Sequence, residues 1–334
     1  MPQTEALHQP KHRAFCQTLQ GLNKIIFLSK IQTIIMNKNI KRIGSFFAVL
    51  ATANLLLFSS CNNPKADEEV EKLDSNKTTL VNINGTLFSI PSPIQTAMLL
   101  KQVGATYNKA LLNGPGEIAS YSTEAKRALN LGAYGADLGY IILYQQTQEA
   151  IGYLGALKKL SDDVGISGAF DTKLIDRFKR NMSNQDSLLV FTSEAFRSSD
   201  AYLKQNDRVK VSSLILAGGW VESLYFTTQM MNGNVQDKKK LEERIGEQKT
   251  TVDNLYKLLT PYYEEEGLTE FIDAVIALAT EFDAVEVNYV YVKPTTDEAN
   301  KVTTFNSTTE VKLSAETLKN IQEKVKVLRA LIVD

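Results

Sequence analysis

The chain has 334 residues, with 37 Lys and Arg against 38 Asp and Glu, two histidines and two cysteines. His8, His12 and Cys16 all lie near the start, so from Cys61 onward there is no histidine and no thiol besides Cys61 itself. That excludes Ser-His-Asp and Cys-His mechanisms, thiol redox chemistry and the usual histidine-cysteine zinc site over this stretch. Seven of the cations and one of the anions precede Cys61, which leaves the remainder with an excess of about seven negative charges. It has no basic patch interleaved with aromatics, so no nucleic-acid partner is expected.

Met36 to Cys61 reads as a secretory signal. Lys38, Lys41 and Arg42 form the charged start, Ile43 to Phe58 the apolar run, and Ser59 and Ser60 the small residues before Cys61. The run is too short for a membrane span, which needs roughly 20 apolar residues. Residues 1–35 do not fit a leader, and translation is expected to start at Met36. Leu57-Phe58-Ser59-Ser60-Cys61 resembles the lipobox of bacterial lipoproteins. The resemblance implies cleavage before Cys61, diacylation of its sulfur, and a membrane partner reached through the acyl chains. Phe58 departs from the aliphatic residue usual at its place. Residues 61–77 are polar and charged and read as a flexible acidic tether. Within it, Lys65-Ala66-Asp67-Glu68-Glu69 resembles the export signal of surface lipoproteins of Bacteroidetes-type bacteria, which implies an outer-membrane location with display at the cell surface; a plain spacer would leave the domain on the periplasmic face.

Residues 78–334 read as one helical domain. Thr79 to Ile90 holds Asn84-Gly85 between two runs rich in β-branched residues, which predicts a hairpin. Ser92-Pro93 predicts a helix start, running to about Leu112, where Asn113-Gly114-Pro115-Gly116 breaks it. A long helical pattern follows from Ser122 or Thr123 through Lys159 with a break. Further helices are predicted at Asp171 to Met182, Asp186 to Gln205, Val209 to Met231, Asp237 to Leu259, Leu268 to Phe282, and Ser314 to about Ile332. Residues 285–313 carry two readings, a second hairpin or a continuation of the preceding helix. No tandem repeat is evident. The expectation is a mostly α fold: an antiparallel multi-helix bundle with one or two small β-hairpins.

No phosphate-binding GxxxxGK[ST] loop is present, and Gly114-Pro115-Gly116 lacks the context of a dinucleotide fingerprint. The stretch from Asn232 to Glu243 has Asp237 where a calcium loop needs glycine. No cofactor and no metal is implied. Two acidic runs, Glu264 to Glu266 and Glu281, Asp283, Glu286, read as solvated faces.

Two segments stand apart, Ala128 to Tyr144 and Val211 to Gly233. Each is apolar on every helical face, with Asp137 or Glu222 as its only charge. Both are predicted to be central helices, and a carboxylate there must find a partner or stay protonated. Arg197 is a candidate structural partner. Alternatively Asp137, Glu222, Trp220 and nearby tyrosines line an internal ligand pocket. Gly132, Gly135, Ala136 and Gly139 form a smooth helical stripe expected to meet Gly218-Gly219. Three functional readings follow. One is a lipid-anchored binding or scaffold protein with a protein or glycan partner and no covalent chemistry; the second is a carboxylate-dependent hydrolase of envelope glycan or peptide; the third is a purely structural envelope component.

Overall fold

The computed structural model describes residues 79–83, 86–90, 92–168 and 170–334. The signal segment, Cys61, the tether and the Asn84-Gly85 turn lie outside the described residues. The fold is mostly α, with small antiparallel β-hairpins. Strands β1 (Thr79–Ile83) and β2 (Thr86–Ile90) pair with Thr79 opposite Ile90 and Ile83 opposite Thr86.

Helix α1 (Pro93–Gln102) starts where expected. Ser92 and Gln95 form a reciprocal capping box, and Pro93 occupies a first-turn position where its missing N–H costs nothing. It ends ten residues short of the sequence expectation. Gly104 takes φ +76°, its N–H bonds to the Lys101 carbonyl, and that of Ala105 bonds to the Leu100 carbonyl. This is a Schellman stop, which turns the chain into a loop with short 3₁₀ turns at Lys109–Leu111 and Glu117–Ser120. The long helical pattern is likewise two helices, α2 (Glu124–Leu143), capped by Thr123, and α3 (Thr147–Asp163). The same motif separates them at Gln145, with φ +59°.

Next come α4 (Thr172–Arg180), α5 (Gln185–Gln205) and α6 (Val209–Met230). The single helix expected from Asp237 to Leu259 is broken at Glu247 into α7 (Lys238–Gly246) and α8 (Gln248–Leu259). Helix α9 (Thr269–Asp283) follows.

The hairpin reading wins for the ambiguous segment. β3 (Glu286–Val290) pairs with β6 (Thr308–Lys312), and β4 (Thr295–Asp297) with β5 (Val302–Thr304), making one interrupted ribbon. Its base is fixed to the helices. Val285 is buried, Val311 sits against Gly246, and Lys249 Nζ donates to the carbonyls of Asp283 and Val285 at 3.0 and 2.8 Å. Beyond that the ribbon is bare: Tyr289, Tyr291 and Phe305 are 67%, 68% and 79% exposed. Helix α10 (Ala315–Val333), capped by Ser314, closes the fold.

Helices α2 and α6 are the centre, as their uninterrupted apolar pattern requires; every residue from Ala128 to Leu143 is buried. α1, α3 and α5 pack on α2, while α1, α5, α8 and α10 pack on α6. The central pair departs from the antiparallel expectation. Glu124 near the start of α2 pairs with Arg208 just before α6 at 2.7 Å, and Tyr140 meets Phe226 near their ends at 5.0 Å between ring centroids. The two helices therefore run parallel, which is open to them because α3, α4 and α5 intervene in the chain.

Glycines allow their close approach. A Cβ at Gly218 would lie 1.8 Å from the Leu129 carbonyl oxygen, and one at Gly132 would lie 1.9 Å from that of Ile215. The rest of the stripe faces elsewhere. Gly135 abuts the Phe196 ring of α5, and Gly139 abuts Ile94 of α1.

Candidate functional site

The parallel pairing of α2 and α6 brings Asp137 and Glu222 together, both 0% exposed. Their counter-ion is Arg329 of α10. Its Nε donates to Glu222 Oε1 and Oε2 at 3.1 and 2.9 Å, and its Nη2 donates to Oε1 at 2.9 Å and to the Leu111 carbonyl at 3.1 Å. The guanidinium also lies 4.4 Å from the centroid of the Tyr225 ring. Both carboxylate oxygens of Glu222 are thus held by a charge-assisted fork.

Asp137 is less well served. Oδ2 accepts the Asn113 N–H at 3.3 Å, and Oδ1 has no N–H or hydroxyl donor. Its neighbour is the Glu222 carboxyl, and two such acids can hydrogen-bond to each other only when one of them carries a proton. Burial pushes the Asp137 carboxyl well above the usual carboxylate range, and the Glu222 charge adds to that against the opposing pull of Arg329. Glu222 is also raised by burial, with Arg329 opposing. Because the guanidinium stands on Glu222, negative charge is better stabilised there than on Asp137, which is the acid favoured to hold a proton.

A buried amide network extends from this point. Asn113 Nδ2 donates to Tyr121 Oη at 3.0 Å and to Asn130 Oδ1 at 3.1 Å, and Asn130 Nδ2 reaches the Ile332 carbonyl at 2.7 Å. Tyr134 Oη donates to the Gly114 carbonyl at 2.6 Å. Lys126 Nζ caps the end of α10 at the Leu331 carbonyl, 2.7 Å away. Asn113, read only as part of a helix breaker, is therefore plugged into the core while Gly114 stays exposed, and α10 is tied to α2 through its last turn.

Comparison with protein-family models, with curated proteins and with solved structures finds no match to this chain.

The residues singled out in the sequence divide. Asp137 and Glu222 meet, as their place on two central helices predicts. Arg197 does not join them: it is exposed on α5, and the partner is Arg329. Trp220 is buried on another side of α6, where its Nε1 donates to Gln248 Oε1 at 3.0 Å. Beside it is a cavity of about 10 Å³, lined by Thr96, Ser223, Thr227, Arg244 and Gln248, which is room for one water at most. No ligand-sized chamber joins Trp220 to the two acids among the described residues.

Nearby tyrosines serve packing: Tyr140 lies 5.4 Å from Tyr107 and 4.7 Å from Tyr144 between centroids, its hydroxyl accepting the Asn108 N–H. Of the surface acids, Glu265 pairs with Lys210 and Glu286 with Lys312. Among the described residues no group of three or more acidic, histidine or cysteine side chains converges as a metal site.

Sequence reading missed Arg329, although a signal was present. It falls four residues after Val325 and three before Ile332, both fully buried, and so continues the apolar stripe of α10.

Proposed function

We propose that the protein is a lipid-anchored component of the cell envelope whose helical domain serves as a binding or scaffold module without covalent chemistry. The anchor reading rests on Leu57–Cys61 behind its signal segment and ahead of a polar tether. Two signals or several chains are what make such anchoring stable, since each buried methylene contributes about 0.8 kcal/mol and one chain holds only marginally. No helix among the described residues is long and apolar enough to cross a membrane.

The observation that favours a module over a hydrolase is the occupation of its two central acids. Glu222 is closed off by Arg329, and Asp137 by Asn113 and Glu222, at 0% exposure, so neither carboxyl faces a space that a substrate could enter. A partner then meets the domain at its surface, where the aromatics of the ribbon between β3 and β6 stand exposed.

Membrane fractionation of Cys61→Ala tests the anchor. The variant is expected in the soluble envelope fraction while the wild type pellets, and a variant that still pellets after a salt wash contradicts the proposal. Protease added to intact cells distinguishes the two faces: digestion of the domain places it outside, and protection until lysis places it in the periplasm.

A further inference from the structure

Four contacts hold α10 against the centre of the fold: Arg329 on Glu222, Asn130 on the Ile332 carbonyl, Lys126 on the Leu331 carbonyl, and Gln322 Nε2 on the Thr228 carbonyl at 3.0 Å. The first is also where the acid pair sits. With one proton between the two acids, their remaining negative charge is matched by one guanidinium. Without it, two carboxylates lie side by side in a dry core with a single cation, and Asp137 keeps only the Asn113 N–H on Oδ2, with no donor on Oδ1. A buried uncompensated charge is among the costliest arrangements a fold can hold, and the structure relieves it by admitting water.

We propose that Asp137 and Glu222 form a single-proton binding site, and that the bound proton latches the C-terminal helix α10 onto the α2–α6 core. The nearest exit for the excess charge is the α10 side, since Arg329 is the one member of the group that reaches solvent, at 15% side-chain exposure. Loss of the proton therefore opens α10 locally and hydrates both acids, while α2 and α6, joined backbone to backbone at Gly132 and Gly218, stay packed.

The groups surrounding the pair do not compete for this role. Tyr134 on α2, Tyr153 on α3 and Tyr107 on the loop are all pushed upward by burial and remain neutral through the range concerned. Tyr225 on α6 presents its ring to Arg329. Of the two other helices on α2, α1 turns Lys101 to the Leu143 carbonyl, and α5 turns Arg197 outward, Glu194 to Arg177, and Asp200 to Lys204 and Ser212.

Amide hydrogen exchange on the full chain, followed against pH and corrected for the intrinsic rate of each amide, reads the latch directly. In the wild type, protection of the α10 amides is expected to hold below an ordinary carboxylate pKa of about 3.9, to fall by up to about tenfold per pH unit above it because one proton is released per opening, and to level off once the closed pair itself has lost its proton. Protection of α2 and α6 should not follow. Asp137→Asn supplies a permanent donor to Glu222, so its α10 protection is expected to stay level across the same range. Level wild-type protection, or an Asp137→Asn profile that tracks the wild type, overturns the proposal. Should the variant not fold, infrared spectroscopy of the wild type decides. A protonated-carboxyl band that outlasts the ordinary carboxylates as pH rises and is lost where the fall in α10 protection levels off supports the site, and a band lost together with the ordinary carboxylates refutes it.

Discussion

Replacing Gly218 by alanine tests the central packing, and Gly155→Ala is its control. A methyl at Gly218 would stand 1.8 Å from the Leu129 carbonyl oxygen, a backbone atom that has no rotamer to change. Ordinary carbon–oxygen contact is about 3.3–3.6 Å, so α2 and α6 would have to part by roughly 1.5 Å along the most extensive helix pair in the fold. Separations of 0.5–1 Å already forfeit about a quarter to a half of the dispersion energy of each contact, and overpacking a filled core costs about 1–3 kcal/mol or more. The helical gain of alanine over glycine, about 1 kcal/mol, offsets part of this. The net expectation is a loss of about 2 kcal/mol or more. At about 2–4 °C per kcal/mol for a domain of this size, that is a fall in Tm of roughly 4–8 °C. At exposed Gly155 on α3 nothing lies within 4 Å, so only the helical gain remains, and Tm should rise by roughly 2–4 °C. Thermal melts of the two variants decide between backbone contact and looser packing: a Gly218→Ala protein at least as stable as the wild type would refute the close approach.

Truncating Arg329 to alanine leaves Glu222 buried without its counter-ion and should cost about 3–5 kcal/mol by denaturant melts, whereas the double change Glu222→Leu with Arg329→Leu should recover much of that loss. A single variant as mild as the double one would show that the ion pair is solvated. Stability should also depend on pH through Asp137. Its folded carboxyl is raised, so the folded state binds more protons than the unfolded one above an ordinary carboxylate pKa of about 3.9. The resulting stabilisation is present in full below that value and is lost as pH rises toward the folded pKa, by up to about 1.4 kcal/mol per pH unit. Asp137→Asn should remove this component and gain on the wild type as pH increases, and a constant difference between their denaturant midpoints across pH would contradict the assignment. At Gly135 the obstacle is the tip of the half-buried Phe196 ring, not backbone, so Gly135→Ala should be milder than Gly218→Ala; equal losses in melts would show that Phe196 cannot yield.

Legibility in the sequence followed the strength of the local signal. α2 and α6 could be recognised as central because one charge in a run of apolar residues leaves no polar stripe, and their glycines announced a close contact. Gly132 and Gly218 made that contact, while Gly135 and Gly139 met α5 and α1, since a stripe predicts smoothness without naming its neighbour. The starts of α1, α2 and α10 were readable from Ser92, Thr123 and Ser314, whose side chains cap their first turns. Helix ends were less so. Gln145 adopts, with φ of 59°, the left-handed conformation that glycine ordinarily signals, so its residue type did not announce the stop, whereas the helix before Asp207, with φ of 56°, ends at Gln205 as expected. The long-range partner of the acids was hidden for a related reason. Arg329 lies 107 positions from Glu222, and its place on the apolar stripe of α10 marks it as facing the core without naming its partner. Parallel alignment of α2 and α6 was out of reach as well, because it depends on how three intervening helices return the chain.

The account rests most heavily on Cys61 as the point of attachment, and mass spectrometry of the N-terminal peptide of the protein isolated from its native membranes measures this directly. The account predicts a mature chain that begins at Cys61 and carries the mass of a diacylglyceryl thioether, with or without an amide-linked third chain. An unmodified Cys61 within a longer peptide, or a mature N-terminus elsewhere in the chain, would contradict it.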